Sequence, residues 1–307
     1  MTPRRSSGRL SLATDGSHFS GYDPSVLDEV LNEAAWLLKH LGFAAKHTVL
    51  IGGLAPSLLV LDPPQPHLGT TDLDLCLTLA IVDGDTAEYE RIEVSLSKAG
   101  YAPTDTSFRW KRSTGLQLDV EFFCPSGPER PAGRMFRPNA LENPTAKHNW
   151  GSKLAAIALD FGAVISADAR VIEREVRLPS DQGRMMFPFS VTGPLGFLLA
   201  KTAALLGRVK HKDAYDIVWL LENWPGGPAA LAHEITQSPA YTFPETENGL
   251  DRLFDAFGSP DSIGAVYFVQ FSTDGDNADG RVRLARQAVG AVRELRTALN
   301  ATGTADA

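Results

Sequence analysis

Cysteine and histidine are scarce in this sequence. Its 307 residues include two cysteines, Cys76 within an apolar run and Cys124 at the end of another. They match no metal-ligand spacing, so we expect both to pack as small buried groups without forming a disulfide. The seven histidines are scattered, and none has partners at zinc-like spacing. The sequence therefore predicts neither a disulfide scaffold nor a zinc site.

Long apolar runs and two common enzyme motifs are also missing. No stretch is long enough to span a membrane, and residues 1–21 are polar and rich in Ser and Arg, without the apolar segment of a secretory signal. The sequence contains no Walker loop and no Gly-x-Ser-x-Gly nucleophile turn. We therefore expect a cytoplasmic protein that has no membrane partner.

Negative charge predominates, since 29 Lys and Arg face 37 Asp and Glu for a formal net charge of −8. Phosphate backbones are bound by Lys and Arg, so this balance argues against a protein that coats nucleic acid without sequence preference. Residues 109–153 are an exception, with eight Lys or Arg against four acids. This local excess leaves a polyanionic substrate open.

The most informative motif is Thr-Asp-Leu-Asp at residues 71–74, which begins eighteen residues after the pair Gly52-Gly53. Alternate residues of a strand point to one face, so Asp72 and Asp74 project together while the leucines around them fill the opposite face. An Asp-x-Asp pair on its own is common. Mg²⁺ (or Mn²⁺) is usually held by one or two carboxylates together with phosphate oxygens, so the spacing indicates chemistry on a nucleoside triphosphate.

The two glycines follow a predicted buried strand over residues 48–51 and precede a short predicted helix over residues 54–61. Without a Cβ, Gly52 and Gly53 let backbone amides approach triphosphate oxygens, and the N-terminus of the following helix favours negative charge. We interpret both glycines, together with Thr71 beside the Asp pair, as nucleotide-binding residues. The alternative is that the glycines only make a tight turn.

A third carboxylate lies on the alternating segment 116–122, where the apolar residues share one face and Asp119 and Glu121 share the other. We expect Asp119 to complete the metal site with Asp72 and Asp74, and to take a proton from the attacking hydroxyl. Taken alone, Asp119 is better explained as part of a solvated strand face. The glycine pair, the Asp pair and a strand Asp in this order together predict a nucleotidyl-transfer site.

The second half of the chain adds cations. Lys201 and Arg208 are seven residues apart and therefore share a helix face, so both are expected to neutralise triphosphate and the leaving pyrophosphate. Lys212 and Asp216, four apart, equally fit an exposed helix pair worth about 0.3 kcal/mol. Without further context we favour the exposed pair.

We predict an α/β (α+β) protein with two folded parts. Residues 1–22 are expected to be disordered, residues 23–192 to form a mixed sheet with flanking helices, and residues 193–307 to be mainly helical. Apolar spacing predicts helices over residues 27–38, 86–99, 153–161, 195–207, 213–223 and 282–299, a strand over residues 71–82, and a hairpin between residues 170–177 and 184–191.

Four segments together resemble the AbiEii/AbiGii toxin family of nucleotidyltransferases, within the DNA polymerase beta-like superfamily. The segments are Ile51-Gly52-Gly53-Leu54-Ala55, Gly69-Thr70-Thr71-Asp72-Leu73-Asp74-Leu75, Leu118-Asp119-Val120, and the Lys201 helix running into Lys212-Asp213-Ala214-Tyr215-Asp216-Ile217. The resemblance spans roughly residues 27–224. It is specific in the Asp-x-Asp block and in the Lys-Asp-x-x-Asp block.

The resemblance implies metal-binding carboxylates at Asp72 and Asp74, a characteristic lysine at Lys201 and a second-half catalytic aspartate at Asp213. Lys212 then joins Lys201 and the glycines as a nucleotide-binding residue. The resemblance also implies a nucleotidyltransferase-like fold that transfers a nucleoside monophosphate from an NTP to a hydroxyl. The chain would be the toxin of a bacterial toxin–antitoxin or phage-defence pair, with RNA, for example the tRNA 3′ end, as acceptor and a cognate antitoxin as partner.

The chain departs from the superfamily pattern at two points. It has Gly53 where Ser is common, and His67 and Leu68 where many relatives carry Arg. These departures bear on triphosphate affinity and base preference. Two other functions therefore stay open: transfer to a small molecule, as in antibiotic nucleotidyltransferases, which the acidic overall charge fits at least as well, and a catalytically inactive nucleotide-binding homologue.

Overall fold

The computed structural model describes residues 26–70, 72–78, 86–106, 108–112, 116, 118–128, 130–136, 153–178, 183–273 and 277–303. The segment 1–22, predicted to be disordered, lies outside the described residues. So do Thr71 and residues 79–82 at the two ends of the predicted Asp-bearing strand.

The described strands form one mixed sheet. They are β1 Thr48–Ile51, β2 Asp72–Leu77, β3 Tyr101–Pro103, β4 Arg109–Arg112, β5 Asp119–Pro125, β6 Met135–Phe136, β7 Ala156–Leu159, β8 Arg170–Arg177 and β9 Arg184–Val191. The spatial order is β3-β4-β5-β2-β1-β9-β8, and β7 pairs with both β5 and β6. Strand β2, which carries the Asp pair, therefore lies in the middle of the sheet.

The alternation predicted for β2 is confirmed. Leu73, Leu75 and Leu77 are fully buried in the main hydrophobic core, whereas Asp72 and Asp74 are half-buried on the opposite face. Strand β2 runs antiparallel to β1 and parallel to β5. Burial of the leucines fixes the register of β2, because a shift by one residue would put both carboxylates into the core.

α-Helices flank the sheet. They are α1 Leu27–Leu41, α2 Ala55–Leu59, α3 Thr86–Lys98, α4 Gly162–Ala167, α5 Pro194–Gly207, α6 Lys212–Asn223, α7 Gly227–Thr236, α8 Pro244–Ala256, α9 Ile263–Ser272 and α10 Ala278–Gly303. The predicted mixed sheet with flanking helices and a mainly helical C-terminal part is confirmed. The division into two domains near residue 192 stays a prediction.

The helix predicted over residues 153–161 is wrong. Residues Ala156–Leu159 form β7, which pairs in parallel with β5 through Phe123, Cys124 and Pro125. The alanines of this segment have high helix propensity, but pairing with a strand that lies some thirty residues earlier outweighs that local preference. Strand β7 therefore adds apolar residues to the sheet face that carries the carboxylates.

The predicted hairpin is confirmed as β8 and β9, which pair along their whole length from Arg170↔Val191 to Arg177↔Arg184. The guanidinium of Arg174 on β8 donates a hydrogen bond to the carbonyl of Leu58 at 2.6 Å. This bond ties the hairpin to α2, the short helix behind the glycine pair.

Both cysteines are buried and unpaired with each other. None of the helices that the structure describes combines the length and the apolar composition needed to cross a membrane.

Candidate active site

Four carboxylates share one face of β2 and β5. The parallel register places Asp72 opposite Asp119 and Asp74 opposite Glu121. Asp72, Asp74 and Glu121 line a cleft of about 250 Å³, whereas Asp119 is not among its lining residues. The two strands thus bring three carboxylates to the cleft, and the third is Glu121.

Strand β4 supplies counter-charges to the two acids of β5. The Nζ of Lys111 lies 3.3 Å from Asp119. The guanidinium of Arg109 donates through Nε to Glu121 at 2.8 Å and also lines the cleft. Part of the basic excess in residues 109–153 is therefore used within the protein.

Asp74 lies where the acidic charge is most crowded. Its pKa is raised from 3.8 to about 7. Removal of the carboxyl from water is the largest cause, and the negative charges of Glu121 and Asp72 add to it, while Lys210 and Lys201 oppose it. A cation between these carboxylates would offset their mutual repulsion.

The glycine pair is packed against the carboxylates. Gly52 has φ +71°, and a Cβ there would overlap the side chain of Asp74. A Cβ on Gly53 would lie 2.9 Å from the hydroxyl of Thr70 and 3.3 Å from Nζ of Lys212. The space that a side chain at position 53 would need is therefore taken by a threonine hydroxyl and an ammonium group.

A cationic wall faces the carboxylates. Its members all line the cleft and come from α5, from the turn after it and from the start of α6: Lys201, Arg208, Lys210 and Lys212. The Nζ of Lys210 lies 3.7 Å from Asp72. The cleft therefore has an acidic floor and a basic wall, as binding of a metal–triphosphate would require.

Asp213 is fully buried behind the cationic wall. It accepts from Nζ of Lys201 at 2.9 Å and from Nε of Arg208 at 3.1 Å. Burial alone would raise the pKa of Asp213, but the two cations lower it below its usual range. Asp213 thus fixes the positions of Lys201 and Arg208 and is not among the residues that line the cleft.

A second buried acid, Asp216, binds three partners. It contacts Lys212 at 2.6 Å, Lys201 at 2.7 Å and Nε2 of His67 at 3.0 Å. Because the backbone N–H of Gly69 donates to Nδ1 of His67 at 3.1 Å, the imidazole carries its proton on Nε2 and donates it to Asp216. Burial is the largest cause that lowers the pKa of His67 to about 4, so the ring is neutral.

The exposed pair favoured for Lys212 and Asp216 is therefore wrong. The two side chains are 4% and 0% exposed, and removal from water, opposed by Asp216, lowers the pKa of Lys212. Their spacing of four residues is the expected one, but His67 and Lys201 enclose the pair. His67 joins the turn before β2 to α6.

The cleft brings together most of the residues that the sequence singled out. These are Gly53, Asp72, Asp74, Lys201, Arg208 and Lys212. Gly52 packs directly against Asp74, and Thr71 lies outside the described residues. Asp119 and Asp213 lie beside the cleft in ion pairs with their own cations.

Sequence reasoning missed five lining residues: Thr70, Arg109, Glu121, Lys210 and Asp216. Glu121 had a signal, because it shares a strand face with Asp119, but only the register of β5 against β2 shows which of the two lies opposite Asp74. Arg109 belongs to the basic excess in residues 109–153, but β4 was not predicted, so the sequence did not place this residue at the cleft.

The residues present fit a hard divalent cation. Asp72 and Asp74 offer oxygen donors from one strand, and the crowding that raises the pKa of Asp74 is the kind that a cation relieves. Within the described part of the chain, no group of three or more His, Cys, Asp or Glu is arranged to hold a metal ion. The remaining ligands would therefore be water and phosphate oxygens, as is usual for Mg²⁺ bound with a nucleotide.

An apolar cavity of about 390 Å³ adjoins the cleft. It lies between the sheet face that bears the carboxylates and helix α5, and its apolar lining includes Ile51, Phe123, Ile157, Leu159, Phe197 and Ala204. Asp74, Lys201 and Arg208 line both spaces. The two spaces therefore meet at Asp74.

No protein-family model and no curated protein matches the sequence. Among solved structures, the chain is similar to an antigenic nucleotidyltransferase-like protein from Paracoccidioides brasiliensis. The identity is 16%, the match covers 75% of this chain and 88% of that chain, and the TM-score is 0.40. So distant a similarity carries no argument about function, which rests on the geometry of the cleft.

Proposed function

We propose that the protein is a metal-dependent nucleotidyltransferase that moves a nucleoside monophosphate from an NTP to an acceptor hydroxyl and releases pyrophosphate. The observation that carries the proposal is the cleft itself, in which Asp72, Asp74 and Glu121 face four cationic side chains beside a glycine turn. Mg²⁺ or Mn²⁺ bound by Asp72 and Asp74 would supply charge neutralisation at the reacting phosphate.

The other charged side chains of the cleft would each have a separate role. The exposed Arg208 and half-buried Lys210 neutralise the pyrophosphate as negative charge builds on it. Lys201 stays charged, because Asp213 and Asp216 outweigh its burial and raise its pKa. The acceptor oxygen attacks the α-phosphorus, the bond from that phosphorus to the pyrophosphate breaks, and the hydroxyl proton passes to a carboxylate of the cleft. Glu121 lies there, in the role expected of Asp119.

The acceptor suggested by the motif resemblance is RNA, with the tRNA 3′ end as a candidate. In that case the protein is the toxin of a toxin–antitoxin or phage-defence pair, and a cognate antitoxin is its partner. Support comes from the four matching segments and from the basic excess in residues 109–153. Growth arrest on expression, lost in Asp74→Asn, is the expected cellular result.

A specific observation favours a second candidate, a small-molecule acceptor. The space next to Asp74 is an apolar cavity, and Arg109 and Lys111 are engaged with Glu121 and Asp119 rather than directed at a ligand groove. An apolar cavity suits a small molecule better than a polyanion.

One labelling experiment tests the reaction. The purified protein is incubated with each α-³²P-labelled NTP, Mg²⁺ or Mn²⁺, and either total cellular RNA or a small-molecule extract. We expect label in one acceptor fraction with the wild type and with Glu175→Gln, an exposed acid on β8 that serves as the matched control, and none with Asp74→Asn. Equal label with Asp74→Asn, or no label with any NTP, would refute nucleotidyl transfer. In the second case calorimetry with Mg²⁺-NTP would test the inactive nucleotide-binding alternative.

A further inference from the structure

The apolar cavity beside Asp74 is built by the same strands that carry the carboxylates. Along β5, Asp119, Glu121 and Phe123 alternate on one face, so that face changes from acidic to apolar within two residues. Strand β7, at Ile157 and Leu159, continues the apolar part, and α5 closes it from above. The cavity is therefore a continuation of the reaction cleft and not a separate defect in the core.

The stereochemistry of the proposed reaction, on which this inference rests, indicates a role for the cavity. In an in-line displacement at phosphorus, the attacking oxygen lies opposite the leaving oxygen. The cationic wall assigns the pyrophosphate to the polar cleft. The acceptor should then approach the reacting phosphorus from the far side of Asp74, where the apolar cavity opens.

We propose that this cavity is the acceptor site and that it takes a small, mostly apolar alcohol. Its volume of about 390 Å³ lies near the lower end of the range for small-molecule pockets, roughly 300–1,000 Å³. Its two cations, Lys201 and Arg208, are shared with the cleft, where the proposed reaction uses Arg208 for the pyrophosphate. An acceptor that carried phosphates would therefore find aliphatic and phenyl groups where it needs cations.

The reaction at this site balances with one acceptor and one NTP. The alcohol oxygen forms the new bond to the α-phosphorus, and the pyrophosphate leaves with the electron pair of the broken phosphorus–oxygen bond. The alcohol proton passes to a cleft carboxylate and then to solvent. The product is a nucleoside monophosphate ester of the alcohol.

Direct binding tests the cavity without requiring turnover. Benzyl alcohol and cyclohexanol serve as probes in ligand-observed saturation-transfer NMR. Ala204→Phe on α5 fills the cavity from a lining position, Ala204→Leu fills it less, and Ala229→Phe adds the same bulk at an exposed site on α7. We expect binding by the wild type and by Ala229→Phe, with affinity falling on the order of tenfold or more in Ala204→Phe and by less in Ala204→Leu.

Asp74→Asn separates this inference from the proposed function. Because the cavity is apolar, alcohol binding should survive that change even though transfer is lost. Absence of probe binding to the folded wild type, or binding that Ala204→Phe leaves unchanged, would overturn the acceptor site whatever the labelling experiment shows.

The labelling experiment then tests the acceptor site a second time and independently. Asp74-dependent label in a small-molecule product that reversed-phase chromatography separates from NTP and RNA, lost in Ala204→Phe and kept in Ala229→Phe, supports the inference. Asp74-dependent label in RNA that Ala204→Phe does not reduce would refute the inference while leaving nucleotidyl transfer intact.

Discussion

Replacing Asp74 with Asn tests the electrostatics of the cleft without an activity assay. Asn has nearly the shape of Asp but carries no charge, so it should remove the cost of burying an ionised carboxyl and relieve its repulsion with Glu121 and Asp72 when no cation is bound. We therefore expect Asp74→Asn to abolish nucleotidyl transfer and yet to make the metal-free protein more stable than the wild type at pH 8.

The magnitude follows from the pKa of Asp74, which folding raises from 3.8 to about 7. Between these values the folded protein keeps a proton that the unfolded chain has released, so stability falls as the pH rises through this window. One pKa unit corresponds to about 1.4 kcal/mol, so the ionised carboxyl costs at most about 4 kcal/mol above pH 7 and less than about 2 kcal/mol at pH 5.

Urea unfolding in EDTA at pH 5 and pH 8 measures this difference. The gain of Asp74→Asn over the wild type should be larger at pH 8, and Glu175→Gln, which removes an exposed carboxylate on β8, should show no such gain at either pH. Saturating Mg²⁺ should reverse the order at pH 8 by stabilising only the wild type. An equal gain at both pH values, or no gain at pH 8, would refute the reasoning from the burial and crowding of this charge.

Three further outcomes can be checked. Glu121→Gln should weaken Mn²⁺ binding more than Asp119→Asn in a calorimetric titration, because Glu121 lines the cleft and Asp119 does not; the reverse order would restore Asp119 as the third carboxylate. Gly52→Ala should lose Mn²⁺ binding and be less stable by about 1–3 kcal/mol, because it combines a positive φ with overlap of Asp74; a binding isotherm like that of the wild type would contradict the packing. His67→Gln should gain stability relative to the wild type as the pH falls from 6.5 to 4 without metal, since the wild-type ring has a pKa of about 4 in the fold and only its unfolded form is protonated over this range; a stability difference that does not change with pH in urea titrations would show that His67 is not the group responsible.

Sequence periodicity predicted the elements near the site wherever one local pattern decides the structure. The alternation in β2 and the apolar spacing of α5 and α6 depend on residues a few positions apart, so the sequence contains all the information needed. Strand β7 shows where this fails. Its alanines favour helix locally, and only its pairing with β5 makes residues 156–159 a strand.

The partners of the site cations could not be predicted in the same way. Lys212 and Asp216 are four residues apart, and that spacing is the same for an exposed pair and a buried one. What buries the pair is His67, which contacts Asp216 across 149 residues of chain. Likewise, Lys201 and Arg208 were expected to face triphosphate, and they do line the cleft, but Asp213 holds both. Such contacts depend on how distant elements pack.

Asp74 in the cleft and His67 behind it act in opposite directions over the same pH range. From pH 4 to about 6.5, His67 makes the protein more stable as the pH rises, because the folded protein holds this ring in its neutral form. Asp74 makes the protein less stable over the same range, because ionisation of this carboxyl is unfavourable in the folded state. The wild-type profile without metal should therefore be flatter than either group alone would produce. His67 stabilises the fold by joining the turn before β2 to Asp216, which in turn contacts Lys201 and Lys212. In the proposed reaction Asp74 would bind the cation, and the charge that destabilises the metal-free fold is the charge that this cation would neutralise.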